Sequence, residues 1–306
     1  MPKKRRPSSQ SEDTPSEGPR AISWFPGHMH KAQKRLGKEI GHIDVVIEIR
    51  DARLPRLSGN PELTRLIGSR AHLLLFNKTS LADPTLNKDW QAMFEREGKN
   101  VLFLDADSRS GLNLMFPRLK ELTVTSREKF SRRGIRPPPQ RLMIVGMPNV
   151  GKSTLINRIV RSNRLATAPT PGLTKGISWV HLKNDYLLMD TPGLMLPRLE
   201  GEKEALPLGW IGTIRDSVVG VQKLAVSLLE HLLGREEGHR LKGYGVEITK
   251  GMGGEALLAD ICLRRGYLSP GGVPNLDRGS EVVLQDFRAG TLGPITLEHP
   301  LKGIST

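Results

Sequence analysis

The sequence predicts an α/β fold: a mostly parallel sheet with helices on both faces, followed by a smaller, mostly helical domain. Three observations carry this. Short apolar runs at 45–49, 71–76, 101–104 and 142–145 alternate with helical patterns, as strands buried in a parallel sheet do. The last run leads through a glycine-bounded loop, Gly146-Met-Pro-Asn-Val-Gly151, straight into a helix start. Beyond about Leu206 the pattern changes, and Val218, Val221, Leu224, Ala225, Leu228, Leu229 and Leu232 recur at helical spacing.

Length and composition bound the answer. The 306 residues are enough for a full α/β domain and a smaller companion. Hydrophobic content of 37% and charged content of 25% suit a soluble chain, and no run approaches the ~18–20 apolar residues of a membrane span. The single cysteine, Cys262, excludes an internal disulfide and an all-cysteine metal site; it reads as a small apolar residue in a helix. The eight histidines include no helical H-x-x-x-H pair, which argues against zinc.

Net charge is +14, and the excess concentrates between Arg118 and Arg164. There twelve basic residues face only Glu121 and Glu128, a balance that suits a phosphate backbone. A solvated surface and an anionic membrane remain as alternatives.

Taken in order, residues 1–20 are polar and serine- and proline-containing, and are expected to be a disordered tail. Lys3 to Arg6 reads as a basic localisation signal or as a merely solvated start. Glu12, Asp13 and Glu17 argue against a mitochondrial transit peptide. Trp24-Phe-Pro-Gly-His-Met29 precedes a helix through Leu36 and Ile40, and its aromatics could plug the core. The strand at 45–49 leads into the loop Asp51-Ala-Arg-Leu-Pro. A helix is expected at 63–67, and the strand at 71–76 ends on Asn77-Lys78. Asp83-Pro84 reads as an N-cap followed by proline at the first helical position, opening a helix through Phe94. A strand at 101–104 and a helix at 112–122 follow. Residues 132–140, with three consecutive prolines, form a linker. The P-loop strand and a helix at 153–160 come next, then a hairpin at 177–189 turning at Asn184-Asp185, and late in the chain a helix at 282–288. Residues 21–200 read as one domain and 201–306 as the helical one.

Gly146, Gly151, Lys152 and Ser153 fill every fixed place of G-x-x-x-x-G-K-[ST], the P-loop. Glycines let successive backbone N–H groups turn inward on phosphate oxygens, from Asn149 and Val150 through Gly151 to Thr154, and the following helix aims its positive end at the same anion. Lys152 reaches the β- and γ-phosphates, and the Ser153 hydroxyl is a hard ligand for Mg²⁺. A chance glycine turn is the alternative, but strand and helix flank the loop as the pattern requires. Downstream, Asp190-Thr-Pro-Gly193 fits the D-x-x-G element of GTPases, where Asp190 supports Mg²⁺ and the Gly193 N–H meets the γ-phosphate. Thr174, between the two, can complete the Mg²⁺ shell. The base-recognition element N-K-x-D is expected after the P-loop. Here Asn77-Lys78-Thr79-Ser80 stands before it, as does Asp105-Ala106-Asp107, whose alanine N–H would bond guanine O6. Base loops first and phosphate loops second is a circular permutation, which a parallel sheet tolerates because domain termini often lie close together.

This order, with Trp24-Phe-Pro-Gly-His-Met, Asp51-Ala-Arg-Leu-Pro, the P-loop and Asp190-Thr-Pro-Gly, resembles the circularly permuted ribosome-assembly GTPases. The look is that of the mitochondrial ribosome-associated GTPase 1 branch, similar to bacterial large-subunit factors. It covers about Trp24 to the end and includes Pro197-Arg198 and Asp286-Phe-Arg-Ala-Gly-Thr-Leu-Gly. The resemblance implies a circularly permuted P-loop GTPase domain that binds GTP and GDP with Mg²⁺. It also implies maturation of the large ribosomal subunit, with the helical domain on rRNA. It places the work in the mitochondrial matrix, with peripheral contact to the inner membrane; nucleus, nucleolus or cytoplasm are the alternatives. The chain is expected to be a monomer off the ribosome.

Two positions depart from GTPases at large. Leu194 stands where many carry a water-orienting glutamine, and the family shares that apolar residue. The catalytic group must then come from elsewhere: a K⁺ ion, an N-terminal histidine or the ribosome. The resemblance implies that Asn149 would help hold K⁺ and makes His28 a candidate to approach the γ-phosphate; His28 reads equally well as a loop histidine. Ser80 replaces the specificity aspartate, which predicts relaxed selection of guanine. Three readings follow: a GTP-driven switch, an RNA-binding factor whose bound nucleotide hardly turns over, and an ATPase.

Overall fold

A computed structural model of the chain describes residues 37, 39–163, 179–183, 185–189, 201–300 and 303–304. Its centre is a six-stranded sheet formed by β1 (Val45–Asp51), β2 (Ala71–Asn77), β3 (Asn100–Phe103), β4 (Gln140–Gly146), β5 (Trp179–Leu182) and β6 (Tyr186–Met189). The spatial order is β3-β2-β1-β4-β6-β5, and every pairing is parallel except the β5–β6 hairpin. All seven residues of β1 are buried: Val45, Ile47 and Ile49 make one face apolar, while on the other Val46 is followed by Glu48 and Arg50, which pair with each other at 2.8 Å. Connections leave β1 toward one edge and β4 toward the other. The crevice at the carboxyl ends of these two neighbours is where such sheets bind ligands.

Helices cover both faces. Val45, Ile47 and Ile49 pack with Leu112, Met115 and Leu119 of α3 (Arg109–Ser131) and Leu155 and Ile159 of α4 (Lys152–Asn163). On the opposite face Val46 packs with Leu63 and Ile67 of α1 (Pro61–Ile67). There Leu74 and Phe76 also meet Trp90 and Phe94 of α2 (Pro84–Arg96). Asp83 caps α2, its carboxylate accepting from the Thr85 and Leu86 N–H groups.

Two helices differ from expectation. The helix read as 112–122 continues to Ser131 through the β-branched run Thr123-Val124-Thr125. The buried Thr123 hydroxyl donates back to the Leu119 carbonyl at 3.0 Å, satisfying itself within the helix. The helix read as 282–288 begins at Leu276 and ends at Ala289 (α9), because its polar first turn carries no apolar period and starts on the cap Asn275. The segment 24–29, the tip residue Asn184 and the region between Met189 and Gly201, where the domain boundary was read, lie outside the described residues.

The second half is α5 (Glu202–Trp210), the short α6 (Asp216–Val219), α7 (Val221–Gly234), α8 (Gly254–Arg265) and α9. The α7 row Leu224, Ala225, Leu228, Leu229 and Leu232 is buried as its spacing predicts, and Cys262 is buried in α8. Arg288 ties α9 to α6 by a bidentate pair with Asp216 at 2.6 and 2.9 Å. After α9 the chain returns to the sheet. The Ile295 N–H donates to the Leu81 carbonyl at 2.9 Å and the Leu297 N–H to the Arg53 carbonyl at 2.8 Å. One apolar cluster runs from β1 through α7 and α9 to Leu297.

Candidate nucleotide-binding site

The P-loop leaves β4 at Gly146, where a Cβ would fall 2.3 Å from the Ile49 carbonyl oxygen. Only glycine lets the two central strands end so close together. Asn149 is left-handed at φ 59° and its Nδ2 donates to the Gly212 carbonyl at 2.6 Å. Val150 is fully buried, and Gly151 turns at φ +104° into α4, which begins at Lys152. The Lys152 ammonium donates to the Met147 carbonyl at 2.6 Å, curled over its own loop. Burial pushes its pKa down to about 8.

The base loops meet the P-loop directly. Asn77, at the end of β2, donates through Nδ2 to the Val150 carbonyl at 2.8 Å and accepts through Oδ1 from the Ala106 N–H at 2.7 Å. Lys78, left-handed at φ 63°, donates to the Asn149 carbonyl at 2.7 Å and pairs with Asp51 Oδ2 at 2.9 Å. Asp51 also accepts from Arg53 Nη2 at 2.9 Å. Burial opposes its charge, but the Arg53 and Lys78 cations outweigh that and hold its carboxyl well below the usual range. Asp51 is therefore a fixed anion that anchors Lys78.

Together these loops line a cavity of about 440 Å³ with Asn77, Lys78, Ser80, Leu81, Asp105, Asp107, Asn149, Gly151, Lys152, Ser153 and Thr154. That volume is within the range of small-ligand sites. Its lining combines Lys152 and the start of α4, chemistry for phosphates, with Asp105 and Asp107, chemistry for hydrogen-bond donors.

Most sequence-predicted residues converge here. Val150 and Ala106 stand behind the cavity wall, serving Asn77 with a carbonyl and an N–H. The Ala106 N–H read as a donor to guanine O6 is thus engaged by Asn77. His28, Thr174, Asp190, Gly193 and Leu194 lie outside the described residues. Leu81, Asp107 and the anchor Asp51 were not among the predicted site residues. An acid closing an apolar strand was the signal available for Asp51. For Mg²⁺, Ser153 offers a hydroxyl beside Lys152 on the cavity wall, a fit for one ligand of a hard cation. No cluster of three or more His, Cys, Asp or Glu suited to a metal occurs among the described residues.

Comparison with known proteins agrees with this geometry. The family described as 50S ribosome-binding GTPase matches residues 141–235, from the P-loop strand into α7 and its end. The chain is 37% identical over 280 residues to ribosome biogenesis GTPase A of Bacillus pumilus, covering 91% of this chain and 99% of that one. It is 32% identical over 296 residues to mitochondrial ribosome-associated GTPase 1 of Xenopus tropicalis, covering 90% and 94%. GNP-bound YlqF from T. maritima shares the fold, with a TM-score of 0.61 at 24% identity over 89% of this chain and 99% of that one. With base loops ahead of a P-loop in one parallel sheet and relatives matched nearly end to end, the chain belongs to the ribosome biogenesis GTPase A family, and is a circularly permuted P-loop GTPase.

Proposed function

We propose that this protein is an assembly factor for the large subunit of a bacterial-type ribosome, docking in its GTP form and leaving after hydrolysis. The carrying observation is the join between base and phosphate loops, Asn77 Nδ2 to the Val150 carbonyl at 2.8 Å, beside one cavity that both distant segments line. In that cavity Lys152 leaves the Met147 carbonyl for the β- and γ-phosphates, and the first N–H groups of α4 hold the same oxygens. Ser153, with Thr174 and Asp190, would hold Mg²⁺, which when bound neutralises charge developing on the phosphates. Asn149 is the proposed contributor to a K⁺ site, and His28 a group approaching the γ-phosphate. Because Leu194 cannot orient water, turnover is slow alone and rises on the ribosome.

The names of the relatives support the ribosomal partner, in bacteria and in mitochondria. The names of the vertebrate relatives support a mitochondrial location, to which we add, as a proposal only, peripheral contact at the inner membrane. No described helix is long and apolar enough to cross a membrane. Docking on rRNA is supported by the exposed ends of Arg132 and Arg136, which lie 81% and 88% open beside weak partners. Off the ribosome we take the chain to be a monomer.

The test is phosphate release from GTP with and without large subunits and K⁺, alongside subunit association across a salt series. Stimulated hydrolysis that Lys152→Ala removes, with association falling steeply as salt rises, is the expected result. An intrinsic rate indifferent to subunits would sink the switch. Association unchanged at every salt concentration, and in a triple charge reversal at Arg132, Arg133 and Arg136, would remove this face from the interface.

A further inference from the structure

The cavity's lining holds an arrangement that the replacement of the N-K-x-D aspartate by Ser80 does not suggest. Asp105, in the loop that follows β3, turns its carboxylate toward Ser80. Its Oδ1 accepts from the Ser80 hydroxyl at 3.1 Å, both oxygens lie 3.2 Å from the Ser80 N–H, and Oδ2 accepts from the Thr79 hydroxyl at 3.0 Å. Both Ser80 and Asp105 line the cavity. We infer that Asp105 is the specificity-determining carboxylate of this site, presented to the base from the opposite loop, with Ser80 as its orienting partner.

The chemistry supports the exchange. Guanine offers two neighbouring donors, N1–H and the exocyclic amine, that a carboxylate accepts side by side; adenine offers no such pair. An ionised carboxylate has about four acceptor positions. Thr79 and Ser80 supply three donors, of which the Ser80 hydroxyl is free to rotate away. With the Ser80 N–H reaching both oxygens they make four contacts, so the two guanine donors take the places that the Ser80 hydroxyl and one arm of that shared N–H give up. Asn77 bonds the Ala106 N–H, so the backbone next to Asp105 is clamped to the P-loop. The relaxed guanine selection expected from Ser80 alone gives way to retained selection through Asp105.

The inference rests on the cavity being the nucleotide site, and the experiment separates the two. GTP, ATP and xanthosine triphosphate are titrated calorimetrically into the full chain and into D105N, D107N, S80D and the exchange S80D/D105S. The parent should prefer GTP to ATP by at least about 100-fold. D105N should lose about 10- to 100-fold in GTP affinity, keep its ATP affinity, and gain for xanthosine triphosphate, whose 2-oxo group accepts from the new amide. Retained ATP binding shows that D105N is folded. S80D alone should weaken GTP, because two carboxylates then crowd one place, and S80D/D105S should restore the preference. A parent that binds GTP and ATP alike, a D105N with unchanged base preference, or a shift that follows D107N instead would overturn the inference while leaving the phosphate site intact. Failure of the parent to bind any of the three overturns the nucleotide site and the inference with it.

Discussion

The Asn77 amide lies so close to Gly151 that a Cβ on the glycine would fall 2.1 Å from Asn77 Nδ2. Through this contact a loop read early in the chain and a loop read seventy-odd positions later become one wall. Asn77 is 4% exposed and uses both ends of its side chain, so it has nowhere to retreat.

Gly151→Ala should therefore cost more than a P-loop substitution on an open surface. It adds strain at φ +104° and breaks the bonds from Asn77 to Val150 and Ala106. We expect about 2–3 kcal/mol of lost stability and at least a tenfold loss of GTP affinity. Thermal unfolding and nucleotide titration check this; a variant equal to the parent in both would show that the two loops do not act as a unit.

Lys152 makes GTP binding sensitive to alkaline pH. Burial depresses its pKa from 10.5 to about 8 in the free protein. For stability, a depressed lysine contributes above its unfolded value, and the contribution is lost as pH falls through about 8. Binding runs the other way, since phosphates favour the ammonium. GTP affinity should hold from pH 6.5 to 7.5 and decline toward pH 9, with proton uptake on binding near pH 8.5. Titration calorimetry in two buffers of different ionisation enthalpy measures that proton. No uptake would mean the ammonium does not move to the phosphates.

Glu298 should make the docked C-terminal segment a source of pH-dependent stability. Burial pushes its carboxyl up to about 7, although the Arg56 and Leu57 N–H groups, at 2.7 and 2.9 Å, lower it. The folded pKa is raised, so its contribution is complete below the unfolded value near 4.5 and is lost as pH rises through about 7. Relative to Glu298→Gln, the parent should lose up to about 3 kcal/mol of stability between pH 5 and 8. Denaturant midpoints of both proteins across that range read the difference; parallel profiles would refute it.

Much of the fold was legible in the chain. A parallel sheet buried on both faces needs continuous apolar runs, and those at 45–49, 71–76 and 142–145 became β1, β2 and β4. A P-loop requires glycine at fixed places, and Asp83-Pro84 announces a helix start, so local chemistry identified both. The order of the base and phosphate loops was equally plain, because it is a property of sequence alone. What only the tertiary structure decided is which groups face one another. Helix α3 runs past 122 because the Thr123 hydroxyl finds the Leu119 carbonyl one turn back, and the segment 295–298 is held where it is because the Leu81 and Arg53 carbonyls accept from it. The carboxylate facing Ser80 comes from Asp105 in the loop after β3, twenty-five positions away. Periodicity and spacing report how a segment relates to itself, whereas a pocket is made of groups brought together by long-range packing that no local pattern encodes.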